Sequence, residues 1–108
     1  EHAATWLPSW LNSLDYTSSI FGRLRKFNQS PSDTARERIK VSPFAGEPVG
    51  WIIGNVGPDM LVFASDYPHP EGTNDPIRRF EAKMTNCDEA TMDKFYYRNM
   101  EELMGIQV

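Results

Sequence analysis

One stretch limits the folds open to this 108-residue chain more than any other: "GEPVGWIIGNVGPDMLVFAS", residues 46–65. Val49, Ile52, Ile53 and Val56 recur at i, i+3, i+4 and i+7, the stripe of an amphipathic helix. Pro48 sits in the first turn, and Gly57 followed by Pro58 supplies the stop. Gly50 and Gly54 weaken the helix but allow close approach to a sheet. "MLVFAS" follows at once, a continuous apolar run of strand length. Parallel strands covered on both faces look like this. Upstream, "RIKVSPF" alternates, with Ile39, Val41 and Pro43 on one face and Lys40, Ser42 and Phe44 on the other. It reads as a second short strand. Residues 38–65 therefore read strand, helix, strand, and a crossover helix brings such strands into parallel pairing. The expected fold class is α/β, with two parallel strands and flanking helices.

The rest of the chain reads as helices and connectors. In "ATWLPSWLNSLDY", Trp6, Trp10 and Leu14 are spaced by four, with Leu7 and Leu11 beside them. Thr5 is the expected cap, which puts Pro8 in the first turn. Phe21, Leu24 and Phe27 extend the stripe, so residues 5–27 read as one helix, or two broken at Gly22. "NQSPSDTARER" reads as a polar connector with one helical turn from Ser32. Beyond residue 72, Asn74 or Asp75 caps a helix with Pro76 in its first turn and Ile77, Phe80 and Met84 on one face. A last helix starts at about Glu89, and Gly105 ends it. Its Met92, Phe95, Tyr96, Met100, Leu103 and Met104 read as core packing.

Composition excludes some functions. A net charge of -4 argues against nucleic-acid binding, which needs a basic stripe. The one basic cluster, "RLRK" at 23–26, reads as a solvated helix face. The single cysteine, Cys87, allows no intrachain disulfide and reads as structural, since no base stands beside it in "MTNCDEA". No apolar run is long enough to cross a bilayer, and nothing resembles a signal peptide. No membrane partner and a cytoplasmic location are expected. The chain starts at Glu1 without a methionine and enters a helical pattern within a few residues. It reads as a single partial domain, residues 1–108, cut from something longer. A tag remnant or a processed terminus would produce the same kind of start.

The chemistry concentrates in "VFASDYPHPEG", residues 62–72. An apolar run ends on Ser65 and Asp66; a tyrosine, two prolines, a histidine, a glutamate and a glycine follow. Ligand sites of parallel α/β sheets lie at the carboxyl ends of strands, where Asp66 is expected. Three residues on, His69 offers an imidazole, with Pro68 and Pro70 stiffening the backbone around it. Spacing alone leaves two readings open. In one, Asp66 and His69 form a site; in the other, Asp66 caps a turn and His69 is a surface residue. Two histidines, His2 and His69, are too few for a zinc site on their own.

Four stretches resemble one family in the same order. "MLVFASDYPHPEGTNDPIRRFE" is similar to the last barrel strand and following loop of amidohydrolase-related proteins. The branch is the one that includes aminocarboxymuconate-semialdehyde decarboxylase. "EHAATWLPSWLNSLD" resembles the segment after the sixth strand, with Glu1 loosely matching the acid there. "RIKVSPFAGEPVGWIIGNVGPDMLVFASDYPH" resembles the seventh strand, seventh helix and eighth strand. "FYYRNMEELMGI" resembles the closing helix, with its Asn99 and apolar-Gly ending. The resemblance implies the C-terminal part of a TIM-like (β/α)8 barrel, a fold of ~250 residues. It implies that Asp66 binds a divalent metal, in most relatives zinc, and takes the proton of the attacking water. It places His69 close by, in substrate binding.

The family's His-x-His pair and its middle-strand histidines are missing from this chain. The resemblance therefore implies part of a metal-dependent hydrolase, inactive by itself. The implied substrate is a small molecule, such as a carboxylated ring or a muconate-like acid. A metal-dependent decarboxylase and a non-catalytic α/β interaction fragment are the alternatives. The unpartnered apolar faces of such a piece predict self-association or docking on the rest of the barrel.

Overall fold

Pro43 and Asn99 do most to decide what the two strand-like segments become. The structure, a computed structural model, describes residues 2–22 and 26–106. It contains helices α1 (Leu7–Ile20), α2 (Pro31–Arg38), α3 (Val49–Val56), α4 (Pro76–Ala82) and α5 (Glu89–Asp93). A π-helical turn, Lys94–Arg98, then leads directly into α6 (Asn99–Met104).

The expected α/β class with two parallel strands is corrected. The described residues are helical and contain no β-strand. Segments 38–44 and 60–65 do run side by side, but they meet in a single parallel bridge between Val41 and Leu61. Val41 N–H donates to the Met60 carbonyl at 2.8 Å, and Val62 N–H donates to the Val41 carbonyl at 3.0 Å. The sequence stops the ladder on both sides. The next rung needs an N–H at position 43, and Pro43 has none. The preceding rung needs Ile39 N–H and the Pro58 carbonyl. Ile39 N–H instead closes α2 on the Ala35 carbonyl at 2.9 Å, and the Pro58 carbonyl accepts from the Asn99 side chain at 2.8 Å.

The far edge of the 60–65 segment is covered by the C-terminal helix. Asn99 Nδ2 also donates to the Leu61 carbonyl at 2.8 Å. The π turn supplies the next contact. Asn99 N–H reaches back five residues to Lys94, passing over the Phe95 carbonyl, its partner in a regular helix. That carbonyl accepts from Phe63 N–H at 3.0 Å. Around this junction Phe63, Phe80, Phe95 and Tyr96 pack edge to face, with ring centroids of Phe80 and Phe95 5.0 Å apart.

The helical readings hold with shifts at their ends. The α3 stripe of Val49, Ile52, Ile53 and Val56 is buried as expected, and Gly57 closes the helix. Burying each such side chain is worth about 1.5–3 kcal/mol. Helix α1 begins one residue after Trp6, not from a Thr5 cap, because Glu47 captures the backbone just ahead of it. Glu47 Oε1 accepts from Ala4 and Thr5 N–H, both at 3.0 Å, and its Oε2 accepts from Phe44 N–H at 2.8 Å. Helix α1 stops at Ile20, before Gly22; Leu24 and most of the "RLRK" cluster lie outside the described residues.

The polar connector is in fact a full helix, α2, capped by the Ser30 hydroxyl. It packs on α1, which also packs on α3. Asp15 of α1 holds its first turn, accepting from Ser32 N–H at 3.0 Å and from the Ser32 hydroxyl at 2.6 Å. Arg36 Nε, farther along α2, donates to the Val56 carbonyl at the end of α3 at 3.1 Å.

In α4, Phe80 is buried, and Met84 just beyond the helix is buried with it; Ile77 is exposed. In the last helix, Phe95 is buried, whereas Met100, Leu103 and Met104 are exposed, against the expectation that all pack in a core. No helix among the described residues is long and apolar enough to cross a membrane.

Candidate functional site

Loop 65–73 follows directly from the anchored Phe63. Thr73 N–H donates to the Ser65 carbonyl at 3.0 Å and closes the loop at its base. Inside it, His69 N–H donates to the Asp66 carbonyl and Gly72 N–H to the His69 carbonyl, each at 2.9 Å. Two successive turns therefore fold the chain back on itself. The second turn is possible only because residue 72 is glycine. A Cβ there would lie 2.2 Å from the Asp66 carbonyl oxygen, well inside contact distance.

Asp66 sits where the apolar run ends, with φ at 53°. That left-handed region is costly for most L-residues, and aspartate and asparagine tolerate it best. The Asp66 side chain is 37% exposed and His69 is 60% exposed. His69 Nδ1 lies 3.8 Å from Asp66 Oδ1, so the structure brings the two expected site residues together. Asp66 stands at the end of an extended segment beyond one bridge, not at the end of a strand in a sheet.

Glu71 joins them, a residue given no role from sequence. His69 Nδ1 lies 3.7 Å from Glu71 Oε1, and Glu71 is the least exposed of the three at 26%. The ligand atoms of Asp66, His69 and Glu71 all lie within 4.8 Å of one another. The signal was present in "HPEG": a glycine placed to turn the chain back returns the preceding glutamate toward Asp66. This donor set, one imidazole nitrogen and two carboxylates, suits a divalent metal such as zinc or manganese.

Other expected features fall elsewhere. Glu1, loosely matched to a family acid, lies outside the described residues. Cys87 is half-buried, and burial followed by the neighbouring Asp88 carboxylate pushes its thiol up, which disfavours the reactive thiolate. An apolar hollow of about 460 Å³ lies along α1, lined by Trp10, Leu14, Phe21 and Phe27 among others and by none of the loop residues.

No protein-family model matches the chain, and no curated protein matches it. Among solved structures, its fold is similar to part of an amidohydrolase from Mycobacterium avium subsp. paratuberculosis K-10. The TM-score is 0.79 at 22% sequence identity, over 97% of this chain and 27% of that one. The chain thus spans about a quarter of the length of the solved structure it matches.

Proposed function

We propose that this chain is part of a metal-dependent hydrolase of the amidohydrolase type, with Asp66 at the metal and water site. The observation that carries the reading is the convergence of Asp66, His69 and Glu71 donor atoms within 4.8 Å. The likeness of nearly the whole chain to part of an amidohydrolase supports it. A bound divalent metal would polarise a carbonyl and lower the pKa of its water. Asp66 would hold the metal through a carboxylate oxygen and would take the proton of the attacking water. His69 is more exposed, and with Nδ1 turned to the acids its other ring nitrogen is left for the substrate, a small molecule such as a carboxylated ring or a muconate-like acid. The chain alone lacks the family's other histidine ligands, so turnover belongs to the whole protein and not to these 108 residues.

The test is Asp66→Asn in the whole protein, assayed on small esters, lactones and amides. Turnover is expected to vanish while the thermal melt stays put, because asparagine accepts the same backbone conformation. Unchanged turnover rejects the reading.

A further inference from the structure

We propose that Glu71 is a metal ligand, and that Asp66, His69 and Glu71 form a divalent-cation site contained within this one loop. The inference rests on the reading of Asp66 as a metal ligand and extends it to a residue that neither spacing nor resemblance assigned. His69 Nδ1 is 3.8 Å from Asp66 and 3.7 Å from Glu71. Direct N–H···O hydrogen bonds need about 2.7–3.2 Å, so neither of these two Nδ1 contacts is one. Ligands held tetrahedrally at about 2.0–2.2 Å by zinc sit roughly 3.3–3.6 Å from one another. The two His69 distances lie a few tenths of an ångström outside that spacing, close enough for small side-chain rotations to close on an ion.

Charge points the same way. Two carboxylates brought within 4.8 Å of each other repel, and a cation between them removes the repulsion. The loop is built to keep them there. The Thr73–Ser65 hydrogen bond closes its base, Gly72 lies against the Asp66 carbonyl, and Pro68 and Pro70 reduce the freedom lost on binding.

Cobalt(II), a probe with visible absorption, tests this on the 108-residue chain by spectroscopic titration and calorimetry. One ion per chain is expected. Glu71→Gln is expected to weaken binding at least about tenfold, and Glu71→Asp to recover part of the loss. If Glu71→Gln binds as tightly as the parent while Asp66→Asn abolishes binding, the inference falls and the functional reading stands. If the parent chain binds no cobalt, the self-contained site falls. Turnover of Asp66→Asn in the whole protein judges the functional reading separately.

Discussion

The Asn99 side chain holds the backbone at Leu61. Its amide donates to the Leu61 and Pro58 carbonyls, each at 2.8 Å, with 2% of Asn99 exposed. Leu61 is also the residue bridged to Val41, so a helix side chain stands where a neighbouring strand would. Two residues on, Phe63 N–H continues this edge on the Phe95 carbonyl, and Asp66 follows after three more.

Replacing Asn99 is therefore expected to cost more than its one side chain suggests. Asn99→Leu leaves one buried and one part-buried carbonyl without a donor, a loss of about 2–4 kcal/mol in urea unfolding. Asn99→Asp is expected to be worse, because a carboxylate would face two carbonyl oxygens.

Two glycines of α3 are expected to respond in opposite directions to alanine. A Cβ at Gly50 would lie 2.1 Å from Asn86 Oδ1 and 2.5 Å from the Lys83 carbonyl oxygen. Gly50→Ala should cost about 1–3 kcal/mol, since the backbone contact has no flexible end to yield. At Gly54 the nearest atom is 3.9 Å away. Gly54→Ala should stabilise by up to about 1 kcal/mol through helix propensity. Paired thermal melts read both signs.

The left-handed backbone at Asp66 separates stability from chemistry. With φ at 53°, Asp66→Gly should melt at or above the parent, and Asp66→Ala about 1 kcal/mol below Asp66→Gly. Under the function proposed for Asp66, all three variants, Asn included, should lose turnover in the whole protein. Equal stabilities for the Ala and Gly variants would show that the backbone at 66 is not strained.

Asp15 should give the fold an acid-sensitive tie. The Ser32 hydroxyl, then the Ser32 N–H, hold its carboxyl below the ordinary value of 3.8. The folded value is the lower one, so the contribution is complete above 3.8 and fades as pH falls through the folded value. The melting gap between parent and Asp15→Asn should narrow from about pH 5 toward pH 2. A gap independent of pH counts against the tie.

Periodicity made some of this visible. Val49, Ile52, Ile53 and Val56 form a one-sided stripe, and α3 buries it as read. Helix α2 was not visible as a full helix because its buried positions are only Ser32 and Ala35. What holds it is Asp15, seventeen residues earlier, and no local pattern announces such a contact. The two expected strands failed for a countable reason. An apolar run shows that a segment is covered, not by what. Pro43 removes a donor, and Asn99 and Phe95, some forty and thirty residues downstream, claim the partners a sheet would need. In the loop, Asp66 and His69 were marked by residue type, and Glu71 was not, because its return depends on how closely Gly72 can approach the chain before it.

The π turn at Lys94–Arg98 has a consequence for how this chain can change length. It amounts to one extra residue spliced into an otherwise regular helix. Removing one residue there would restore regular winding: the bond from Asn99 N–H to the Lys94 carbonyl would then span four residues, and the helix beyond would keep its place. Asn99 would keep its hold on the Pro58 and Leu61 carbonyls, but the Phe95 carbonyl would be reclaimed by its own helix and lost to Phe63 N–H. Substitutions in this turn can be absorbed one side chain at a time. A single-residue deletion takes away the acceptor of Phe63 N–H, and it would loosen the chain leading to Asp66 without touching any residue of the loop.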